Sequence, residues 1–346
     1  MVEKCASEFG SAAAKPMRSD VDPDGKKAYQ ARLDALSLSS SRPAQVDVRL
    51  SRLTQSLRIA DTTRREEDRR VKLSDLALRS AERQAEIDAE LDAAAGRRRQ
   101  WRPSLSPDEE LKVADILRDS SFRKSIPGAE VQAKDVRKLR PGTWLNDEIL
   151  NFYAVMLNNR SKAYDVEYEK ALKSAPAGQE PPRELLRVHV FSSFFYSTLK
   201  TQGYGKVCRW TKKIDVFKLD RIIIPINFEQ AHWVCGAINI RQKRFEFLDS
   251  MGGYNADVVA LLREYLEAEH LDKKKTPIDL SEWEDYQHED VPQQQNGFDC
   301  GVFTSQVMEC LSRPDAVLDF GQENMSYLRK KLVLEIAQNE FIDESY

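Results

Sequence analysis

The chain has 346 residues and a formal net charge of −3. That length allows one domain of good size plus a tail, and the near-neutral balance gives no electrostatic reason to expect a nucleic-acid partner. No apolar run is long enough to span a bilayer and the first 20 residues hold no apolar core segment, so neither membrane insertion nor a secretory signal is expected.

In chain order, the character changes near residue 100. Of all the Phe, Trp and Tyr residues, only Phe9 and Tyr29 lie in the first 100. A large core needs such side chains, so it is placed after that point. The first 60 residues, rich in Ser, Ala, Asp and Arg without lasting periodicity, read as disordered. Residues 63 to 95 are charged and alanine-rich, with Leu73, Leu76, Ile87 and Leu91 as sparse apolar points. They suit a solvated charged helix and offer too few apolar heptad positions for a coiled coil. Arg97-Arg98-Arg99 reads as a solvated linker or as part of a nuclear import signal. The expected division is residues 1–103 as a mostly disordered region and 104–346 as the folded domain.

The folded part opens with Ser106-Pro107-Asp108-Glu109, a cap residue, Pro at the first helical position and Glu at the third. Leu111, Val113, Ile116 and Leu117 supply that helix with apolar positions. A second helix starts near Asn146, with Ile149, Phe152, Tyr153, Met156 and Leu157 inward. Residues 160 to 186, with Ala175-Pro176-Ala177-Gly178 and Pro181-Pro182, read as a long connection. Val188-His189-Val190-Phe191 is a strand carrying a half-buried histidine. Ile222 to Ile226 is a buried strand in which Pro225, lacking a donor, implies a missing ladder bond or a bulge. His232 to Ile240 and Phe245 to Asp249 read as the two strands of a hairpin about the polar turn Arg241 to Arg244. Helices are expected around Val258 to Leu266, Gly301 to Leu311 and Met325 to Ala337. Helices ahead of a central sheet, then mixed elements, give an α+β fold.

Five cysteines, none in a Cys-x-x-Cys pair, argue against a disulfide framework and a structural zinc site, and fit a reducing compartment. One of them stands out by its setting. Asn296-Gly297 is a turn signal, and Val302, Phe303, Val307, Met308 and Leu311 then repeat at helical spacing. Cys300 therefore sits at or just before a helix N-terminus, where free N–H groups and the positive end of the dipole favour a thiolate. The glutamines upstream could donate an amide N–H to an oxyanion. Taken alone, the stretch fits a buried structural cysteine equally well.

A nucleophilic cysteine needs a base, and the chain has four histidines. His288 lies in a polar, acidic stretch and His270 ends a charged helical segment, so both read as surface residues; His189 reads as a satisfied strand histidine. Cys208, Cys235 and Cys310 each lie in an apolar or core-like run. His232 and Asp249 are the open ends of the expected hairpin. Strands lie about 4.8 Å apart, so the aspartate can reach the imidazole and fix its tautomer.

His232-Trp233, Leu248-Asp249-Ser250-Met251-Gly252-Gly253 and Pro292 through Gly301 resemble the active-site blocks of the SUMO-specific cysteine proteases, the Ulp/sentrin protease family. Trp144 through Tyr153, and Phe194-Phe195-Tyr196 through Gly203-Tyr204 to Arg209 through Phe217, match two further blocks. Together they cover roughly residues 104 to 341 in the family's order. The resemblance implies a papain-like arrangement, with the nucleophile capping a central helix packed on the sheet that carries His and Asp. It implies a triad of Cys300, His232 and Asp249, with Gln294 in the oxyanion hole and no metal or organic cofactor. It implies that Trp144 and Trp233 line a tunnel passing only glycine; for each, core packing is the alternative. Asp147 resembles a family residue that pairs with an arginine of SUMO, and it also suits a helix N-terminus as an acid. Residues 160 to 186 look longer than the family's usual connection.

The implied function is cleavage after the C-terminal Gly-Gly of SUMO, both deconjugation from lysines and maturation of precursors. The expected partners are SUMO and its conjugates. A monomer is expected, in the nucleus, at the nuclear envelope or also in the cytoplasm. A protease for another ubiquitin-like modifier and a non-catalytic SUMO-binding module are the alternatives.

Overall fold

The computed structural model describes residues 101–342 except 177–180, 182, 315 and 316, together with the isolated helical positions Arg64, Lys72, Arg79 and Arg83. The chain divides into two units, Met1–Asp88 and Ala89–Tyr346, and the elements below belong to the second. The disorder expected over the first 60 residues, and all but those isolated positions of the helix expected over 63 to 95, lie outside the described residues.

Helix α1 (Pro107–Arg118) starts on the expected capping box, in which Ser106 and Glu109 satisfy each other's backbone N–H groups. A short hairpin, β1 (Arg123–Ile126) and β2 (Ala129–Gln132), and a single turn of helix, α2 (Ala133–Val136), follow. Packing begins a little before Ser104: Trp101 donates through Nε1 to the Asp319 carbonyl at 2.6 Å and meets Tyr327 edge-on.

Helix α3 (Asp147–Ser174) is capped by Asn146 and is much longer than the sequence indicates. It absorbs the first half of the stretch read as a connection. The returning chain is stitched back onto it: Arg183 donates to Asp165 at 2.6 Å and lies over the Tyr168 ring, and the Glu184 N–H donates to the Tyr164 hydroxyl at 2.7 Å. The helix persists because Tyr164, Asp165 and Tyr168 gain tertiary partners that the local Pro and Gly pattern does not reveal.

The central sheet has five strands in the order β3 (Val188–Val190), β4 (Arg221–Phe228), β5 (His232–Asn239), β6 (Arg244–Leu248) and β7 (Glu284–Gln287). The β3–β4 and β6–β7 pairs are parallel and the middle pairs antiparallel. Alternation along β4 and β5 sorts their side chains to two faces. Ile223, Trp233, Cys235 and Ala237 join a core with α3, α7 (Cys300–Leu311) and α8 (Met325–Gln338). Ile222, Ile224, Ile226, Val234 and Ile238 join a second core with α4 (Phe194–Gln202) and α6 (Ala256–Lys274). Burial on both faces explains the unbroken Ile222 to Ile226 run. A short helix, α5 (Tyr204–Val207), follows α4.

Pro225 pairs with Cys235 in an unbroken register, so there is no bulge; β3 stops opposite Ile223, leaving β4 without that neighbour at Pro225. Two further readings are corrected. His288 is not a surface residue: its Nε2 lies 3.5 Å from Glu246, which is buried in β6. Cys208 is partly exposed rather than part of the core, whereas Cys235 and Cys310 are buried. Among the described residues no helix is long and apolar enough to cross a membrane, and no cluster of His, Cys, Asp or Glu could hold a metal ion.

Candidate active site

Every residue of α7 is buried, and Cys300 is its first residue. Its position comes from the turn before it. The Asn296 side-chain oxygen accepts the backbone N–H groups of Phe298 and Asp299 at 3.1 and 3.0 Å, and the Asp299 carbonyl accepts the first intrahelical bonds from Val302 and Phe303. The N–H groups of a first helical turn have no intrahelical acceptor, so this end favours negative charge. The next residue must be small. A Cβ on Gly301 would stand 2.8 Å from Leu145 and 3.2 Å from the Trp233 ring.

His232 opens β5, opposite Phe228. The connection before it turns through Glu229 and Gln230, both at positive φ (51° and 58°), a backbone more usual for Asn and Gly. Asp249 follows the end of β6. The register sets Leu248 opposite Cys235, so Asp249 reaches His232 along the strand end rather than straight across. The His232 Nε2 to Asp249 Oδ1 distance is 2.6 Å. That same oxygen accepts the Met251 N–H at 2.8 Å, and Gly252 and Gly253, at φ 81° and 101°, close the loop that holds it.

With Nε2 committed to Asp249, His232 Nδ1 is buried without a hydrogen-bond partner. The Cys300 thiol is close enough to act on the imidazole. The hydrogen bond that the imidazole donates to Asp249, together with the neighbouring Cys300, raises the His232 pKa to about 9, against the opposing effect of burial. The other strand histidine differs: burial, with Lys162 adding to it, pushes His189 down to about 4. Among the described residues, only His232 meets both a carboxylate and a cysteine.

Gln294 is bonded to the residue after Asp249. Its Oε1 accepts from Ser250 Oγ at 2.7 Å, its backbone N–H donates to the Ser250 carbonyl at 2.7 Å, and its Nε2 donates to the Asn296 carbonyl. A primary amide has two N–H donors, so one remains for an oxyanion. Ser250, immediately after Asp249, thus ties the aspartate loop to the glutamine.

The expected substrate-binding residues have distinct settings. Trp144 is 50% exposed, yet its Nε1 donates to the Gly297 carbonyl at 2.7 Å, which fixes the indole beside the turn that precedes Cys300. Trp233 is 3% exposed and donates to the Leu145 carbonyl at 3.0 Å, so it is chiefly a packing residue under the site. Asp147 is the first residue of α3 and accepts from Ser193 Oγ at 2.6 Å. Phe194, next to that serine, is 53% exposed. Ser250 and Asp299 lie inside the blocks that carry the resemblance, with no role read for them, and the sequence does not mark Arg329, which pairs with Asp299, at all. Their side chains meet partners more than twenty residues away, beyond the reach of any local pattern.

The fold is that of a papain-like cysteine protease, a helix that opens on a cysteine packed on a sheet with a histidine at one strand's start and an aspartate just past another's end. Residues 143–341 match the model of the Ulp1 protease family, C-terminal catalytic domain, and the chain belongs to that family. It is 39% identical over 213 residues to a sentrin-specific protease of Caenorhabditis elegans, covering 62% of this chain and 28% of that protein. It is 35% identical over 231 residues to sentrin-specific protease 2 of Mus musculus, covering 66% of this chain and 35% of that protein. The match thus spans about a third of the length of these relatives. Among solved structures, the C-terminal Ulp1 protease domain in complex with Smt3, the yeast ortholog of SUMO, is similar at a TM-score of 0.55 and 30% identity, covering 68% of this chain and 97% of that one.

Proposed function

We propose that this chain is a thiol protease that cleaves after the C-terminal Gly-Gly of SUMO, releasing SUMO from lysine side chains and trimming its precursors. The observation that carries the reading is the 2.6 Å contact between His232 Nε2 and Asp249, which leaves Nδ1 to serve the Cys300 thiol at the start of a buried helix. Its support for SUMO is the family membership and the similarity to a domain solved with a SUMO ortholog.

The proton of Cys300 passes to His232 Nδ1, giving a thiolate and an imidazolium that Asp249 stabilises. The thiolate adds to the glycine carbonyl carbon. The oxyanion receives hydrogen bonds from the remaining Gln294 N–H and the Cys300 backbone N–H. Collapse expels the lysine amine, which takes the proton from His232, and leaves a thioester. Water, giving its proton to His232, adds to the thioester, and the thiol leaves with the free glycine carboxylate formed. The exposed Trp144 face forms one wall for the tail, and Asp147 with Phe194 faces the body of the modifier.

A fluorogenic reporter on the SUMO C-terminus tests this. Wild type should turn over, Cys300→Ser should lose turnover while still binding SUMO, and Cys310→Ser should keep it. Turnover of a different ubiquitin-like reporter in place of SUMO's would reassign the substrate. SUMO binding with no turnover by wild type would make the chain a binding module.

A further inference from the structure

Arg329, on α8, is 3% exposed and far in sequence from every residue assigned above. A guanidinium has five N–H donors in a fixed plane. Here they meet five acceptors on two separate segments. Nε donates to Asp299 Oδ1 at 2.8 Å. One terminal nitrogen donates to the Lys138 and Arg140 carbonyls at 3.3 and 3.0 Å. The other donates to the Thr143 and Phe298 carbonyls at 2.9 and 3.0 Å. The first segment ends on Trp144 and the second on Cys300. The other Asp299 oxygen accepts from Asn296 at 2.7 Å and from Gln322 at 2.9 Å.

We propose that Arg329 is a positioning residue for the peptidase reaction: it locks the strand of chain that carries Trp144 to the turn that carries Cys300, so that tail wall and nucleophile keep one separation. The inference rests on the function proposed above. Two observations make it more than a structural ion pair. Trp144 is only half buried, and its indole N–H bonds the Gly297 carbonyl in the same turn that Arg329 grips. In addition, the Asp299 carboxylate stands one residue before Cys300. Burial would raise its pKa, but the bonds from Asn296, Gln322 and Arg329 hold it below the usual carboxylate value. A fixed anion there opposes a thiolate unless a cation neutralises it, and Arg329 is that cation. The charged groups around the thiol are then His232 and Asp249 from the sheet side and the neutralised Asp299–Arg329 pair from the helix side.

Three variants of the full chain separate geometry from charge. Arg329→Lys keeps the charge but offers only three donors; Arg329→Met removes both; Trp144→Phe keeps an aromatic side chain, smaller than the indole, and loses the bond to Gly297. Each is assayed for kcat and KM on the SUMO reporter, for melting temperature, and for the pH profile of iodoacetamide alkylation at the Cys300 peptide. Arg329→Lys should lower kcat roughly 10- to 100-fold with KM changed less than about two-fold, since a small misplacement of reacting groups acts on the chemical step. Its alkylation profile should match wild type. Arg329→Met should show the same kcat loss and an alkylation midpoint moved to higher pH. Trp144→Phe, altered at an exposed ring, should fold normally and lose about five-fold in kcat, the worth of one hydrogen bond.

Wild-type kcat in Arg329→Lys or in Trp144→Phe would overturn the proposal, as would an unmoved alkylation profile in Arg329→Met. If Arg329→Lys does not fold, Trp144→Phe decides the geometric half alone. A wild-type chain that leaves the SUMO reporter uncut would remove the function proposed above, and the alkylation profiles would still decide what Arg329 does to the thiol.

Discussion

At the scale of single residues, the site turns on where the His232 proton sits. Asp249 is the largest contributor to the raised value of about 9, followed by Cys300. In the proposed reaction the imidazolium that protonates the leaving amine therefore persists through neutral pH and is lost as pH rises through about 9. Asp249→Asn should move the alkaline limb of the kcat profile down toward 6.5 as well as reduce the rate; an unchanged limb would show that Asp249 does not set this proton. Trp233 calls for a different expectation from Trp144. It is buried, with its indole N–H satisfied inside the protein. Removing a buried tryptophan side chain costs about 3–5 kcal/mol, so Trp233→Ala should lower the melting temperature in step with activity. A stable but inactive Trp233→Ala would instead give this indole a direct role at the substrate tail.

At the scale of elements, α7 and β5 must approach closely for Cys300 to meet His232. Gly301 is what permits it, since a Cβ there would stand 2.8 Å from Leu145 and 3.2 Å from Trp233. Leu145 adjoins the Asn146 cap of α3 and Trp233 follows the histidine, so neither can retreat without moving part of the site. Gly301→Ala should therefore lower stability by about 1–3 kcal/mol, the usual penalty for overpacking, and reduce the Cys300 alkylation rate as the helix is pushed from the sheet. Melting and alkylation at wild-type values would mean that the contact is soft. Of these elements, the α1 capping box and the α3 cap were legible because each is a local spacing of residues. The far half of α3 and the Glu229-Gln230 turn were not. One depends on partners beyond residue 180, and the other uses residues that ordinarily avoid positive φ.

At the scale of the whole molecule, buried carboxylates give stability a pH dependence with opposing signs. Glu335, buried in α8, is pushed up to about 7, chiefly by burial, with Lys331 and the Ile342 N–H opposing and Glu309 adding to it. A raised carboxylate binds its proton more tightly folded than unfolded. Its contribution is thus complete below 4.5 and is lost as pH rises through about 7. Glu246 runs the other way. Burial would raise it, but Arg221, His288 and Asn239 outweigh that and hold it at about 2, so its contribution is present above 4.5 and is lost as pH falls through about 2. His232 adds a further decline between 6.5 and about 9. Melting temperature against pH should accordingly be highest near 4.5, where the Glu335 and Glu246 contributions are both present, and should fall above it. Glu335→Gln should flatten the decline between 4.5 and 7 while leaving the acid limb in place. A Glu335→Gln curve parallel to wild type throughout would show that this group does not titrate on unfolding.

The sequence by itself determined the apolar periods, the caps, the α+β class, the resemblance to the Ulp/sentrin family, and the cysteine, histidine, aspartate and glutamine to look for. The periods and caps are properties of residues close together in the chain, where spacing alone fixes which face or helix end a side chain occupies, whereas the set of cysteine, histidine, aspartate and glutamine follows from the resemblance. The folded structure was needed to show that His232 Nδ1 is buried without a hydrogen-bond partner, that Trp144 is half exposed while Trp233 is buried, and that His288 faces Glu246. It alone joined Arg329 to Asp299 and to the carbonyls ahead of Trp144. The reason is physical. A buried charge or indole is placed by whichever donors and acceptors the fold brings to it, and those partners lie tens to hundreds of residues away, at separations that leave no period or motif in the chain.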